Sequence, residues 1–450
     1  MTSIRIPDGV LDISEGAFEG CSSISSIDIP QSIRFLGGSA FKGCSLLKSI
    51  TLPNQLSSIN NSLFEGCSNL TSISLPESIT RIDYRAFRSC NSLLTISIPN
   101  SVDYLGESAF SNCTSLTSVT LPERITVIRD KVFYRCVNLL SVDIPESVSI
   151  IEGYAFYDCN SLSKVTIPES VSYIGEQAFA GCTSLESIVI PDSVITLGSM
   201  AFSGCSNLTS VSLSENLSTI ARSTFNDCKS LSSIIIPNKT SVIGVCAFYG
   251  CDELQTIILP EGLSEIGASA FSNCKSLVSI SLPRKLLGIN NRLFFECEQL
   301  TEINLPDELT YIGDDAFNGC GSLETLHIPN TVDSIGIGAF YRCGRLTTIN
   351  IPDNISEIKT GTFGDCYQLS SLTIPSKVTR IGDFAFSGCF DLQALVLKSP
   401  IPPKCGKYIL GISDWEWPKS LTIFVPNESV DDYKAADGWR NFAQIIQAMQ

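Results

Sequence analysis

A cysteine recurs every 23 residues along most of this chain, and a fixed period of that length is typical of repeat architectures. The series of seventeen cysteines begins at Cys21 and ends at Cys389, without an insertion. A phenylalanine stands three residues before each cysteine, and a proline stands nine residues after each as far as Pro375, except at Ser214. One unit is too thin to bury its own apolar residues, so the units must stack into a solenoid.

The unit at residues 168–190 shows how each coil is expected to fold. Residues 185–190 have the apolar-x-x-apolar-x-apolar spacing of a short strand with one buried face. Pro191 ends that strand because proline has no N–H for a ladder. Val171 and Ile174 form a second inward pair on the return side of the coil. Stacking at the ~4.8 Å spacing of hydrogen-bonded strands puts identical residues into columns.

This pattern resembles the BspA-like leucine-rich-repeat family with 23-residue, treponemal-type repeats. The matching elements are Leu185-x-x-Ile188-x-Ile190-Pro191, Val194-x-x-Leu197-Gly198 and Ala201-Phe202-x-Gly204-Cys205. The tail, with Phe424-Val425-Pro426 and Gly438-Trp439, is similar to the Bacteroides-type C-terminal capping segment of that family. The resemblance implies a leucine-rich-repeat solenoid that attaches to host matrix proteins or to other cells.

Three segments are therefore predicted. Residues 1–6 are a partial N-terminal coil that contributes only a strand, and residues 7–397 are a solenoid of 17 repeats. The solenoid has a parallel β-sheet on one face and short strands and turns on the other. Residues 398–450 are a small α/β C-terminal cap, because an open solenoid end needs a cover.

The composition of the tail agrees with a separate role as a cap. It holds all three tryptophans, Trp415, Trp417 and Trp439, and carries no net charge. Residues 421–425 predict a last strand. Ser429 is placed to cap a short helix that ends before Gly438, and residues 439–449 predict a final amphipathic helix.

Charge and composition exclude several classes of function. The net charge is −16, from 30 basic and 46 acidic residues, which argues against a nucleic-acid partner. The chain has one histidine, His327, so it offers no His-rich metal site. No apolar run reaches the ~18–20 residues of a membrane helix, and no signal peptide is visible. We expect neither a cofactor nor a metal.

The cysteine column is predicted to consist of buried, reduced thiols. Parallel side chains of adjacent coils hold their sulfur atoms near the strand spacing, which is well beyond the ~2.05 Å of a disulfide bond. Cys246 and Cys405 lie outside the column. Cys246 occupies a position that is polar in most coils, which indicates an exposed and reactive thiol.

The outward positions of the main strand are the fourth, fifth and seventh residues after each cysteine. Of these 51 positions 31 are Ser or Thr and none is aromatic, which disfavours a carbohydrate site. Short hydroxyl side chains also simply suit an exposed parallel sheet. Long polar side chains concentrate in consecutive coils, and we predict a partner-binding site there. Its residues are Glu302, Asn304, Glu324, His327 and Asn350.

Two further features suggest contacts with a partner. The residue after the strand proline is acidic in ten of seventeen coils, which is either a solvated edge or a site for calcium or a basic protein surface. Tyr134 and Tyr157 occupy equivalent positions in adjacent coils, next to Arg135, and are an alternative anchor for a partner.

These features favour a non-enzymatic protein-binding scaffold, a monomer that is secreted or displayed on the cell surface. The protein partner would be a matrix or cell-surface protein, with a basic surface as one option. Two alternatives stay open. One is a polysaccharide-active enzyme on a parallel β-helix, whose carboxylates would come from the acidic column, and the other is a purely structural spacer.

Overall fold

A computed structural model describes residues 2–411 and 418–449. The chain divides into two compact units. The first comprises Met1–Leu217 and Thr224–Leu231, and the second comprises Ser218–Ser223 and Ser232–Gln450. Both units consist of stacked 23-residue coils, and most coils have three sides: a main strand, a return strand and a turn segment.

The main strands pair in parallel with a shift of one repeat. Ser187 lies opposite Ser210, and Ile188 lies opposite Val211. Leu185, Ile188 and Ile190 are buried, as their spacing predicts, while the alternate side chains are exposed. The main strands are Ser3–Arg5, Ser26–Asp28, Thr95–Ser97, Ser118–Thr120, Ser141–Asp143, Lys164–Thr166, Ser187–Val189, Ser210–Ser212, Ser233–Ile235, Thr256–Ile258, Ser279–Ser281, Glu302–Asn304, Thr325–Leu326, Thr348–Ile349, Ser371–Ile374, Ala394–Leu397, Thr422–Val425 and Ile446–Ala448.

The return strands are only two residues long, and the second residue of most of them points into the core. Tyr173–Ile174 pairs in parallel with Thr196–Leu197, and Ile174 and Leu197 are buried. The return strands are Asp12–Ile13, Phe35–Leu36, Ser58–Ile59, Arg81–Ile82, Tyr104–Leu105, Val127–Ile128, Ile150–Ile151, Tyr173–Ile174, Thr196–Leu197, Thr219–Ile220, Val242–Ile243, Glu265–Ile266, Gly288–Ile289, Tyr311–Ile312, Ser334–Ile335, Glu357–Ile358, Arg380–Ile381 and Lys404–Cys405.

The turn segment carries the phenylalanine and cysteine columns, and both columns are interior as predicted. Every column phenylalanine from Phe41 to Phe386 and every column cysteine from Cys44 to Cys389 is buried. Within each unit the rings of adjacent coils stack, with centroids 5.1–6.1 Å apart. The backbone also pairs between coils here, since Phe179 N–H donates to the carbonyl of Ala201 at 2.9 Å.

The tail extends the main strands of the second unit by two rungs. Thr422–Val425 pairs with Ala394–Leu397, and Ile446–Ala448 pairs with Thr422–Val425. The helical elements of the tail are the 3-10 turns Asn427–Ser429 and Arg440–Ile445 and the α-helix Val430–Ala435.

The predicted cap is present, with one correction. Trp439 is fully buried, and its Nε1 donates to the carbonyl of Pro403 at 2.8 Å. The predicted final helix over residues 439–449 is wrong, because Ile446 lies 23 residues after Ile423 and its backbone completes a ladder with that strand. The short helix is confirmed, but Ser429 is buried and makes no side-chain cap bond. Trp415 and Trp417 lie outside the described residues.

Candidate functional site

The predicted site residues lie on the main-strand side of the second unit. Glu302 and Asn304 are exposed on one strand, where they pair with Ser279 and Ser281 of the preceding coil. Glu324 and His327 flank the next main strand on either side and are also exposed. The coils in sequence therefore bring the four side chains to one face, and their role in binding stays a prediction.

Asn350 differs from the other four because its side chain is part of the scaffold. Its Oδ1 accepts a hydrogen bond from the Ile328 N–H at 2.8 Å, and its Nδ2 donates to the Ile328 carbonyl at 2.7 Å. In other coils a backbone carbonyl takes the first of these roles, as Ser212 does for Ile190. The Asn350 amide therefore stabilises the stack, and only the other four predicted residues have their long polar groups available.

An open groove of about 620 Å³ lies next to His327. Besides His327 and Asn350, Asp353, Lys398 and Thr373 line it. The groove carries one carboxylate and one ammonium group, so it can form an ion pair with either a cationic or an anionic group of a ligand. Sequence reasoning missed it because residues of four successive rungs line it.

Some of the outward Ser and Thr hydroxyls of the main-strand side form hydrogen bonds between coils. Side chains at the fourth position after the cysteine donate to the carbonyl of the equivalent residue one coil earlier. Thr209 Oγ1 donates to Glu186 O at 2.9 Å, and Thr117 Oγ1 donates to Leu94 O at 3.1 Å. This column of Ser and Thr therefore has a structural reason that is independent of any partner.

Three exposed aliphatic side chains on the main strands were not recognised from the sequence. Val189, Ile235 and Ile258 all occupy the seventh position after the cysteine, and 61–64% of each is exposed. Most coils place a polar residue there. The sequence marks these positions, because an aliphatic residue at an outward position is as unusual in this column as a long polar one.

The residues that follow the strand prolines, which form the acidic edge, also contribute to coil stacking. Asp192 Oδ1 accepts a hydrogen bond from the Glu215 N–H at 2.8 Å, and Asn100 Oδ1 does the same for Glu123 at 3.3 Å. An amide can replace a carboxylate in this role, so the position does not require charge. Within residues 2–411 and 418–449, no group of three or more metal-ligating side chains could hold an ion.

The tyrosine pair lies on the turn side of the first unit. The rings of Tyr134 and Tyr157 stack with centroids 5.0 Å apart, and Tyr154 tilts against Tyr157 at 5.8 Å. Both stacked rings are half-buried. The carboxylate of Asp158 and partial burial raise the pKa of Tyr157, while Arg135, 3.8 Å from Asp158, opposes that shift. The two rings therefore form one stacked aromatic surface that is packed against its neighbours.

The column thiols form hydrogen bonds that the repeat pattern did not reveal. Their sulfur atoms donate to the carbonyl of the phenylalanine in the preceding coil, at 3.1–3.3 Å. Burial raises the pKa of Cys205 to about 12. No disulfide joins cysteines in the described part of the chain. The column is therefore made of protonated donors.

The two cysteines outside the column do not have the environment of reactive thiols. Cys246 is half-buried, and burial raises its pKa although Arg222 opposes the shift. Burial, with the carboxylate of Asp437, raises the pKa of Cys405 to about 12. Since the thiolate is the nucleophile, both shifts disfavour the reactive state that was expected for Cys246.

The repeat pattern agrees with comparisons to known proteins. A family model described as BspA type leucine-rich repeat region matches residues 1–115, 82–209, 174–300 and 288–405. The chain belongs to the BspA-type leucine-rich-repeat family. Comparison with curated proteins gave no significant match.

Solved structures of bacterial repeat proteins are similar to this BspA-type chain. A leucine-rich repeat protein from Bacteroides ovatus is 31% identical, with a TM-score of 0.65 over 81% of this chain and 88% of that one. A leucine rich cell surface protein from Faecalibacterium prausnitzii is 27% identical, with a TM-score of 0.41 over 75% and 85%. The T. pallidum leucine rich repeat protein is 30% identical over 46% and 78%, with a TM-score of 0.31.

The helices of this BspA-type chain are short. None in the described ranges has both the length and the apolar character needed to cross a membrane.

Proposed function

We propose that this chain is a non-enzymatic protein-binding scaffold, an adhesin-like protein that is secreted or displayed on the cell surface. The observation that carries the proposal is the main-strand face of the second unit, where exposed aliphatic and long polar side chains interrupt a surface of short hydroxyls. A parallel ladder holds these side chains at fixed spacing, so little side-chain ordering is needed when a partner binds.

The chemistry of the titratable groups supports a binding role over catalysis. The largest pKa shifts in the described residues belong to buried cysteines, whose thiols are protonated and hydrogen-bonded within the core. His327 lies in an open groove and has no carboxylate within ion-pairing distance among the described residues. Carboxylates of the acidic edge, such as Asp192, already accept backbone hydrogen bonds. A polysaccharide-active site needs carboxyl groups that converge on one bond.

The proposed extracellular placement rests on the family resemblance. The acidic surface bears on the kind of partner. All of the net charge of −16 lies on residues 1–397, since the tail has six acidic and six basic residues. A strongly acidic scaffold attracts a basic protein partner at long range and repels nucleic acid.

The test is a binding assay with the whole chain immobilised on a sensor surface against a panel of purified matrix proteins. We expect saturable binding of at least one protein, with competition by soluble chain. A sensor surface that carries an unrelated carrier protein serves as a negative control. If no matrix protein of the panel shows saturable binding, the adhesin role is contradicted. Release of reducing sugar ends from a polysaccharide panel would support the enzyme alternative.

A further inference from the structure

Two exposed isoleucines face each other on adjacent main strands of the second unit. Ile235 and Ile258 are direct partners in the parallel ladder, and 64% and 61% of their surfaces are exposed. Ser233 and Thr256 form the next outward pair along the same strands. The result is a small aliphatic surface with hydroxyl groups at its border, which is the arrangement of an apolar interface centre with a polar rim.

Two unpaired carboxylates lie a few coils further along the same face. Glu302 and Glu324 are exposed, and neither makes an ion pair with a described residue. By contrast, Glu296 on the turn side of the same unit pairs with Arg342 at 3.1 Å. In the column of Ile258 and Asn304 the only outward side chain between them is the short Ser281, and Val278 in the same coil is a further exposed aliphatic residue between the aliphatic pair and the acidic pair.

The spacing of the coils sets the spacing that a ligand must match. Glu302 is two coils from Ile258 and Glu324 is three coils away, which correspond to roughly 10 and 14 Å at the strand spacing of ~4.8 Å. An extended polypeptide advances ~3.3 Å per residue. A segment that crosses the coils therefore spans the distance between Ile258 and the carboxylates with about three or four residues, whichever way it runs.

We propose that this surface binds an extended polypeptide segment in which an aliphatic residue and a Lys or Arg are three or four positions apart. The aliphatic side chain covers Ile235 and Ile258, and the basic side chain pairs with Glu302 or Glu324. The inference rests on the proposed protein-binding function and names the chemistry of the partner. A polypeptide fits better than a sugar, because none of the 51 outward positions of the seventeen repeats is aromatic.

The test is selection of a random twelve-residue peptide library on the immobilised whole chain, followed by affinity measurement of the most enriched peptide by fluorescence anisotropy. We expect enrichment of Ile, Leu or Val three or four residues from Lys or Arg, on either side. The double variant with Ile235→Ser and Ile258→Ser should weaken binding at least tenfold. The variant with Glu302→Gln and Glu324→Gln should weaken it several-fold and abolish most of its salt dependence.

Val189→Ser is the matched control, because Val189 occupies the same outward position in the first unit with similar exposure. It should leave the affinity unchanged, and circular dichroism should show that all variants fold. Three results would overturn the proposal: no enriched motif, an acidic motif, or binding that the isoleucine variant leaves intact. If a matrix protein binds the whole chain but none of these variants changes its affinity, the proposed function stands and this inference fails.

Discussion

The thiol of Cys205 donates a hydrogen bond to the carbonyl oxygen of Phe179, one coil earlier, at 3.2 Å. The same carbonyl accepts the backbone N–H of Cys182, also at 3.2 Å. Column cysteines such as Cys205 therefore connect their own coil to the carbonyl that closes the turn of the preceding coil. This contact explains why the column holds cysteine rather than an apolar residue of similar size, since valine or alanine would bury the same space without a donor.

Removal of one column thiol should destabilise the protein measurably. Cys205→Ala loses a hydrogen bond and leaves a small cavity in a fully buried site, so we expect a loss of about 1–3 kcal/mol in the free energy of unfolding. Cys246→Ala, at a half-buried position outside the column, should change it by less than about 0.5 kcal/mol. Urea denaturation followed by circular dichroism measures both, and equal effects would contradict the role of the column.

The column thiols should be present in reduced form and protected in the native state. Burial holds the pKa of Cys113 and Cys205 near 12, so almost no thiolate exists at pH 8. We expect few of the nineteen cysteines to react with a thiol reagent in the native protein and at least fifteen to react after denaturation without reductant. A lower count after denaturation would mean that the column forms disulfides.

The same pKa shifts predict that the protein loses stability at alkaline pH. A thiol with an ordinary pKa of 9.0 in the unfolded chain ionises above pH 9, whereas the folded thiol of Cys205 stays protonated up to about pH 12. The stabilisation is therefore complete below pH 9 and is lost as the pH rises towards 12. Each such thiol contributes a loss of about 1.4 kcal/mol at pH 10.

Urea denaturation at pH 8, 9 and 10 in the presence of reductant tests this expectation. Cys205→Ala is the control, because its stability should fall by about 1.4 kcal/mol less than that of the unaltered chain between pH 8 and pH 10. A stability that does not change over this range would show that the column thiols are not protonated donors.

Much of the fold could be predicted because each coil repeats the environment of the last. Leu185, Ile188 and Ile190 predicted the buried face of one strand, and the 23-residue period carried that prediction through the solenoid. Local patterns failed where no repeat supported them. Trp439, Phe442 and Ile446 have the spacing of an amphipathic helix, but a partner strand 23 residues earlier determines the conformation at Ile446.

The candidate site was predictable in position but not in the use of each side chain. The column position identified Glu302 and His327 as outward residues, and both are exposed. The same reasoning could not show that the Asn350 amide bonds to Ile328, because an asparagine can either point to solvent or replace a backbone partner. The exposure of Ile235 and Ile258 follows from the same column position, the seventh residue after the cysteine.

Two glycines in the turn segment of one coil should differ sharply in how well they tolerate a side chain. A Cβ at Gly198 would lie 2.5 Å from the backbone N of Glu176, so the coils would have to separate. A Cβ at Gly204 would meet no atom closer than 3.7 Å, and only its positive φ of 74° disfavours alanine. We expect Gly204→Ala to lower the free energy of unfolding by about 1 kcal/mol and Gly198→Ala by about 3 kcal/mol. Thermal and urea denaturation measure the order, and the reverse order would contradict this close approach.

The last prediction concerns the contribution of the polar site to partner binding. Carboxylate and imidazole side chains reach further than hydroxyls and offer charge as well as hydrogen bonds. A double variant with His327→Ala and Glu324→Ala should therefore weaken binding of an identified matrix protein at least tenfold. The matched double variant with Ser210→Ala and Ser233→Ala should change the affinity by less than about threefold, because it removes only short hydroxyls at outward positions of two main strands. Surface plasmon resonance compares the two, and equal affinities would move the contact surface away from this face, with the stacked pair of Tyr134 and Tyr157 as the next candidate.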